Sequence, residues 1–299
     1  MNAISINQNT SSKNDTSLAN IKSIKKMPIY LKVVDYAIQS MNMIKRESPI
    51  LFWIAMVCFL LALGSLMGLT IDDRMLMGVN VWLKPLKFSI STGIYILTVG
   101  FLVNYYPYSS LKKKIINGLT AWTLIVELGI IVYQGARGVL SHYNMSSPID
   151  GMLFAAMGIL IGVNVFIMVL FVFDTLRLKM KTEKSVQWAM VIGWIVVIAG
   201  SWVGGQMIGQ MSHNIGVTDG GEGLPFLNWS TIAGDLRVAH FFGIHGIQII
   251  PLFAFGLTKL WKTSQRNQII AVTLFGLIYA GWIAMTFYQA KQGMALLSL

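Results

Sequence analysis

Charge is what this sequence has least of: Asp, Glu, Lys and Arg make up 12% of its 299 residues, about half the roughly 25% of an ordinary soluble domain. Cysteine is almost absent too. Cys58 is the single one, so an intrachain disulfide is excluded and the redox compartment leaves no mark. There is no Cys-x-x-Cys, no Gly-x-Ser-x-Gly elbow, no Gly-rich phosphate loop and no His-Glu-x-x-His helix. The common nucleophilic, nucleotide and zinc-protease signatures are therefore missing. The first 47 residues hold no apolar run of the kind a cleaved signal peptide needs. The first apolar run is accordingly expected to act as an uncleaved anchor.

What the chain does have is hydrophobic length. Apolar residues make up 55% of it, concentrated in seven runs at roughly 48–70, 81–104, 116–140, 150–173, 187–211, 237–258 and 269–291. Runs of about 20 residues match a hydrocarbon core of about 30 Å. The expected fold class is all-α: a polytopic integral membrane protein, a seven-helix transmembrane bundle.

The basic residues set its orientation. Seventeen of the 23 lie before the first run or in the second–third, fourth–fifth and sixth–seventh connections. Lys112, Lys113 and Lys114, then Arg177, Lys179, Lys181 and Lys184, then Lys259, Lys262 and Arg266 mark those three connections. The positive-inside bias then places the N-terminus inside and the C-terminus outside, in the cytoplasmic membrane of a cell. The net charge of +11 is thereby explained by the bilayer as partner, and no nucleic acid is needed.

Three regions follow. Residues 1–27, rich in Asn, Ser, Thr and Lys, are expected to be a disordered cytoplasmic tail. Residues 28–46 place Leu31, Val34, Ile38 and Met41 at helical spacing, which predicts an amphipathic helix on the membrane surface or on the cytoplasmic loops. Residues 47–299 form the bundle. Its one long connection, 212–236, carries Asp219-Gly-Gly-Glu-Gly223 and Pro225 and is expected to be a lid, a re-entrant segment or a solvated loop. Asp235 and Ser147-Pro148 are helix-start signals, and Pro251 predicts a kink in the sixth span.

Polar groups recur on single helix faces. Asn80, Lys84, Lys87, Ser91, Tyr95 and Thr98 do so in the second run, and Thr123, Glu127, Gln134, Arg137 and Ser141 in the third, with His142 at the margin. Gln206, Gln210 and His213 share one side of the fifth, and Ser201, Gly205 and Gly209 offer a close-contact seam on another. Arg237, His240, His245 and Gln248 follow in the sixth, and Tyr279, Thr286 and Gln289 in the seventh. Glu127 falls near the bilayer midplane, where a bare carboxylate is costly. Lys87 is its expected partner by depth. His142, His213, His240 and His245 are candidate metal or haem ligands, though their spacing fits no recognised metal motif.

The segments Trp82-Leu-Lys-Pro-Leu-Lys87-Phe88, Gln134-Gly-Ala-Arg-Gly-Val-Leu-Ser-His142-Tyr-Asn144 and Asp235-Leu-Arg-Val-Ala-His240-Phe-Phe-Gly-Ile-His245 resemble a bacterial multi-pass membrane family with no assigned activity. The resemblance covers most of the chain from the second run onward, implies the fold, and transfers no chemistry. The residues themselves leave three functions open. One is binding or transport of a small anionic or lipid-like ligand by Lys84, Lys87, Glu127, Gln134, Arg137, His142, Gln210, Arg237, His240, His245 and Gln248. Another is a membrane-embedded enzyme, metal- or haem-dependent, acting on a lipid or quinone-like substrate. The third is a structural or partner-binding role.

Overall fold

The computed structural model describes residues 28–221 and 223–298; the tail expected over 1–27 lies outside the described residues. The described helices are α1 Ile29–Glu47, α2 Pro49–Ile71, α3 Leu83–Leu102, α4 Ser110–Arg137, α5 Pro148–Arg177, α6 Lys184–Gln210, α7 Leu236–Ile244, α8 Gly246–Leu260 and α9 Gln265–Lys291. Six are long and apolar enough to cross a membrane, and α7 with α8 makes a seventh if the bent pair is one span. At 1.5 Å per residue, the 23 residues of α2 reach about 35 Å. The outward faces are as apolar as the core: Leu274, Leu277 and Ile278 of α9 are 57%, 64% and 73% exposed. Such a surface is compatible with lipid and unfavourable in water. In α1 the residues Leu31, Val34 and Ile38 are likewise exposed.

The helices form two groups. In the first, α2, α3 and α4 pack on one another, and in the second, α7, α8 and α9 pack on α6. Helix α5 joins the groups along one side by packing on both α4 and α6. On the other side the groups meet at the basic end, the end of the lysine-rich connections. There Phe101 of α3 lies 5.6 Å from Phe255 of α8, ring centre to ring centre. The same end holds a buried aromatic layer. Phe171 stacks on Trp194 at 4.7 Å, and the Trp194 indole donates to the Tyr106 hydroxyl at 3.1 Å. Lys112 pairs with Asp174 at 2.6 Å just above it.

The end of the third span and the bend of the sixth differ from the sequence reading. The third span stops at Arg137, not 140, because Gly138 takes the left-handed conformation at φ 74°. Its N–H and that of Val139 return to the carbonyls of Gly135 and Gln134, a glycine stop that a residue with a Cβ resists. The sixth span bends by 44° at His245, six residues before Pro251, which sits inside α8. Glycine contacts to α6 explain the position. Gly243 lies so close to Gly200 that neither has room for a Cβ, and a Cβ on Gly246 would meet Val196. Gly205 and Gly209, the expected seam, face open space; the actual seam is Gly193, Gly200 and Gly204 against Ile247, Gly243 and His240. The expected caps form: Ser147 Oγ accepts from the Asp150 N–H at 3.1 Å, and Asp235 accepts from the Arg237 N–H at 2.9 Å.

Candidate functional site

The end opposite the basic connections is roofed by two small hairpins. In the first, β1 Met75–Leu76 pairs with β2 Val79–Asn80, turning through Met77 and Gly78 at φ 51° and 78°. The Asp72 carboxylate anchors it, accepting from Arg74 Nη2 at 2.7 Å and from the Trp82 indole at 2.8 Å. Those two donors hold its carboxyl well below the usual carboxylate range. Arg74 also donates to the Ala136 carbonyl at 2.9 Å, tying the hairpin to the end of α4.

The second hairpin closes the long connection, with β3 Asn214–Ile215 paired to β4 Gly234–Asp235. Asp219 accepts from the Asn214 N–H at 2.9 Å and from the His213 N–H at 3.1 Å. Asp235, nearly fully buried, pairs with Arg237 at 2.6 Å and accepts from the Ser230 N–H at 2.9 Å. Arg237 in turn donates to the Asn228 carbonyl. The hairpins touch: a Cβ on Gly78 would stand 3.1 Å from the Gly220 carbonyl oxygen.

Under this roof sit the two lysines of α3. Lys84 Nζ lies 3.2 Å from Nδ1 of His142 and 5.6 Å from the centre of the Phe88 ring. His142 is enclosed by Phe88, Tyr143 and Phe154, with ring centres 5.8, 6.0 and 6.2 Å away. Burial first, then the charge of Lys84, holds this imidazole well below the ordinary histidine range, so it is neutral. Burial also pushes the neighbouring Tyr143 phenol up to about 12. Lys87 Nζ donates to the Leu227 carbonyl at 3.0 Å. Among the described residues, neither lysine forms an ion pair with a carboxylate.

The expected Lys87–Glu127 pair is therefore corrected. Glu127 is partly buried on α4, and the charge acting on it is that of Lys84. Lys87 is instead under the influence of Arg237 and Asp235. Lys84 also senses Arg237, Lys87 and Asp219, and His142 senses His240 across the bundle. Lys84, Lys87, Glu127, His142, Arg237 and His240 thus form one electrostatic neighbourhood. His240 Nδ1 is 2.8 Å from the Gly200 carbonyl. His245 sits at the α7–α8 break with Gln248 one turn beyond it.

Other candidates are engaged elsewhere. Arg137 and Gln134 bond Asp150 Oδ1 at 2.6 and 2.9 Å, with Ser147 Oγ on Oδ2 at 2.7 Å. This network clamps the end of α4 to the start of α5. Gln210 donates to the carbonyls of Ser212 and Asn214. His213 faces Asp219 at 3.2 Å, and burial followed by the Arg237 charge lowers its imidazole from the ordinary histidine range. Tyr279 donates to the Phe242 carbonyl and Gln289 to that of Ala295. Among the described residues no three His, Cys, Asp or Glu side chains come together as a metal ion requires. A shallow surface crevice bordered by Asp235, Thr286 and Gln289 lies on the α9 side of α7, apart from the lysines.

Sequence reasoning missed Asp72, Asp150, Asp219 and the Leu227 carbonyl. Ser147-Pro-Ile-Asp150 carried a signal, a helix-start serine with an acid three residues on. A backbone carbonyl carries none. No protein-family model, curated protein or solved structure matches the chain, so function is argued from these side chains.

Proposed function

We propose that this end of the bundle is a cationic pocket that binds or carries a small anionic or lipid-like ligand, on the non-cytoplasmic side of the cell membrane. The orientation, N-terminus inside and C-terminus outside, is supported by the alternation of the basic connections. One observation carries the binding reading: Lys84 and Lys87 are part-buried, their ammoniums rest on the His142 imidazole and the Leu227 carbonyl, and neither has a carboxylate partner. A charged lysine costs about 2.5–3.5 kcal/mol at the centre of a span and less near its end, where these two lie, but the cost stays unfavourable while they are part-buried. Helix association alone is served as well by neutral side chains, such as Asn164 bonding Thr123 elsewhere in this bundle. Arg237 adds a third positive group, already neutralised by Asp235.

Thermal unfolding in detergent, at constant ionic strength, tests the reading with hexyl phosphate, hexanoate and hexanol. A charged ligand at 100 times its Kd stabilises by about 2.7 kcal/mol. The two anions are expected to stabilise the native protein, hexanol is not, and Lys84→Met/Lys87→Met should lose the response. An equal response in both proteins would overturn the pocket.

A further inference from the structure

We infer that the ligand of this pocket is a phospholipid of the surrounding bilayer, whose phosphate enters sideways between α3 and α7; the inference rests on the anion-binding reading above. The other routes to the lysines are obstructed. The roof lies against the charged side chains: Leu227 bonds Lys87, Asn228 bonds Arg237, and the two hairpins abut at Gly78 and Gly220. At the basic end Phe101 and Tyr105 close on Phe255 at 5.6 and 5.8 Å. Helix α5 covers the flank between α4 and α6.

The remaining flank lies between α3 and α7. Helix α3 packs on α2 and α4, and α7 packs on α6 and α9, with no substantial packing between α3 and α7. Both helices keep partly exposed residues near the roof: Lys84, Lys87 and Ser91 on α3, Arg237 and Phe241 on α7, while His240 turns to α6 and the Gly200 carbonyl. Consecutive roof residues bridge the two helices, the Leu227 carbonyl on Lys87 and the Asn228 carbonyl on Arg237. In a bilayer such a gap opens onto lipid.

Its chemistry grades as a phospholipid does. The charged level holds two cations without carboxylate partners, suited to a phosphate ester carrying one to two negative charges. Two turns deeper the walls are apolar and exposed, at Ile94 below Lys87 and Ile249 below Phe241, as an acyl chain requires. The Leu227 carbonyl now occupies the position on Lys87 that a phosphate oxygen takes when the lipid is bound.

A phosphatidic acid carrying a photoreactive group near its glycerol tests this on the full chain in nanodiscs, with adducts mapped by mass spectrometry. Adducts at 84–98 and 236–252, reduced at least tenfold by Lys84→Met/Lys87→Met and unaffected by inorganic phosphate, support the inference. Lys87→Arg keeps the charge and should keep the adducts, so a folding defect is distinguishable from a lost contact. Adducts confined to the basic end would overturn lipid entry. Displacement by inorganic phosphate, which has no alkyl chain, would assign the site to a soluble anion, overturning the lipid source and leaving the pocket standing. Indifference of both lipid and soluble phosphate to the two lysines would overturn the pocket as well.

Discussion

Lys84 rests its ammonium on Nδ1 of His142 at 3.2 Å, so a cation at the start of a membrane helix leans on an imidazole and not on a carboxylate. The contact requires His142 to stay neutral, since a protonated Nδ1 has no lone pair to offer.

That requirement sets a pH dependence. The folded His142 is held below its unfolded range, near 6.5, so below about pH 6.5 the unfolded chain takes up a proton the folded one excludes. Stability is then present above pH 6.5 and lost as pH falls, by at most about 1.4 kcal/mol per pH unit for one such group. His213 shifts in the same direction and adds to the slope. Melting temperatures between pH 7.5 and 5.5 should fall for the native protein and fall less for His142→Asn.

Glu127 offers a choice between two lysines. Lys84→Met combined with Glu127→Gln is expected to be non-additive by about 0.5–1 kcal/mol, within the range of coupled neighbours. Lys87→Met with Glu127→Gln should be additive. A double-mutant cycle that finds the coupling at Lys87 would restore the pairing suggested by depth alone.

Asp235 and Arg237 hold the roof. Asp235→Ala removes a helix cap and leaves Arg237 beside carbonyls without its carboxylate, at a cost of about 3–5 kcal/mol. Limited proteolysis of this variant should cut within 212–235 faster than in the native protein, with the helices still protected.

The glycines of α6 and α7 separate close packing from spare helix. Alanine at Gly200 or Gly243 meets backbone on the facing helix and should cost about 1–3 kcal/mol or more, the usual range for overpacking. Alanine at Gly205 or Gly209, where space is open, should stabilise by up to about 1 kcal/mol through helix propensity.

Orientation is separately accessible. A reporter active only outside the cytoplasm, fused after residue 299, should be active, and the same reporter within 178–183 should be silent. The opposite pattern would invert the molecule and place the pocket in the cytoplasm.

The helices were legible because membrane spans advertise themselves in composition, and the caps at Ser147 and Asp235 because capping is local. Partner choice was not. Periodicity places Lys84, Lys87 and Glu127 on helix faces and at depths, but which faces meet depends on how the helices rotate against one another. Helix α3 starts at Leu83 after a hairpin, and that entry turns Lys87 toward the Leu227 carbonyl. The bend at His245 was hidden for a related reason. Proline marks a weak point in one helix, whereas the glycine contacts that fix the bend need two. Arg137 was assigned to the site because its partner, Asp150, belongs to the next helix.

The most direct measurement is equilibrium binding of hexyl phosphate to detergent-purified protein at fixed ionic strength, for three chains. The native protein should bind about one equivalent, and Lys84→Met/Lys87→Met should bind at least tenfold more weakly, a loss of about 1.4 kcal/mol or more. Lys259→Met/Lys262→Met, which removes the same charge from the basic end, should bind as the native protein does. Equal weakening in the two double variants would reduce the interaction to net charge, and the pocket beneath the hairpins would not exist.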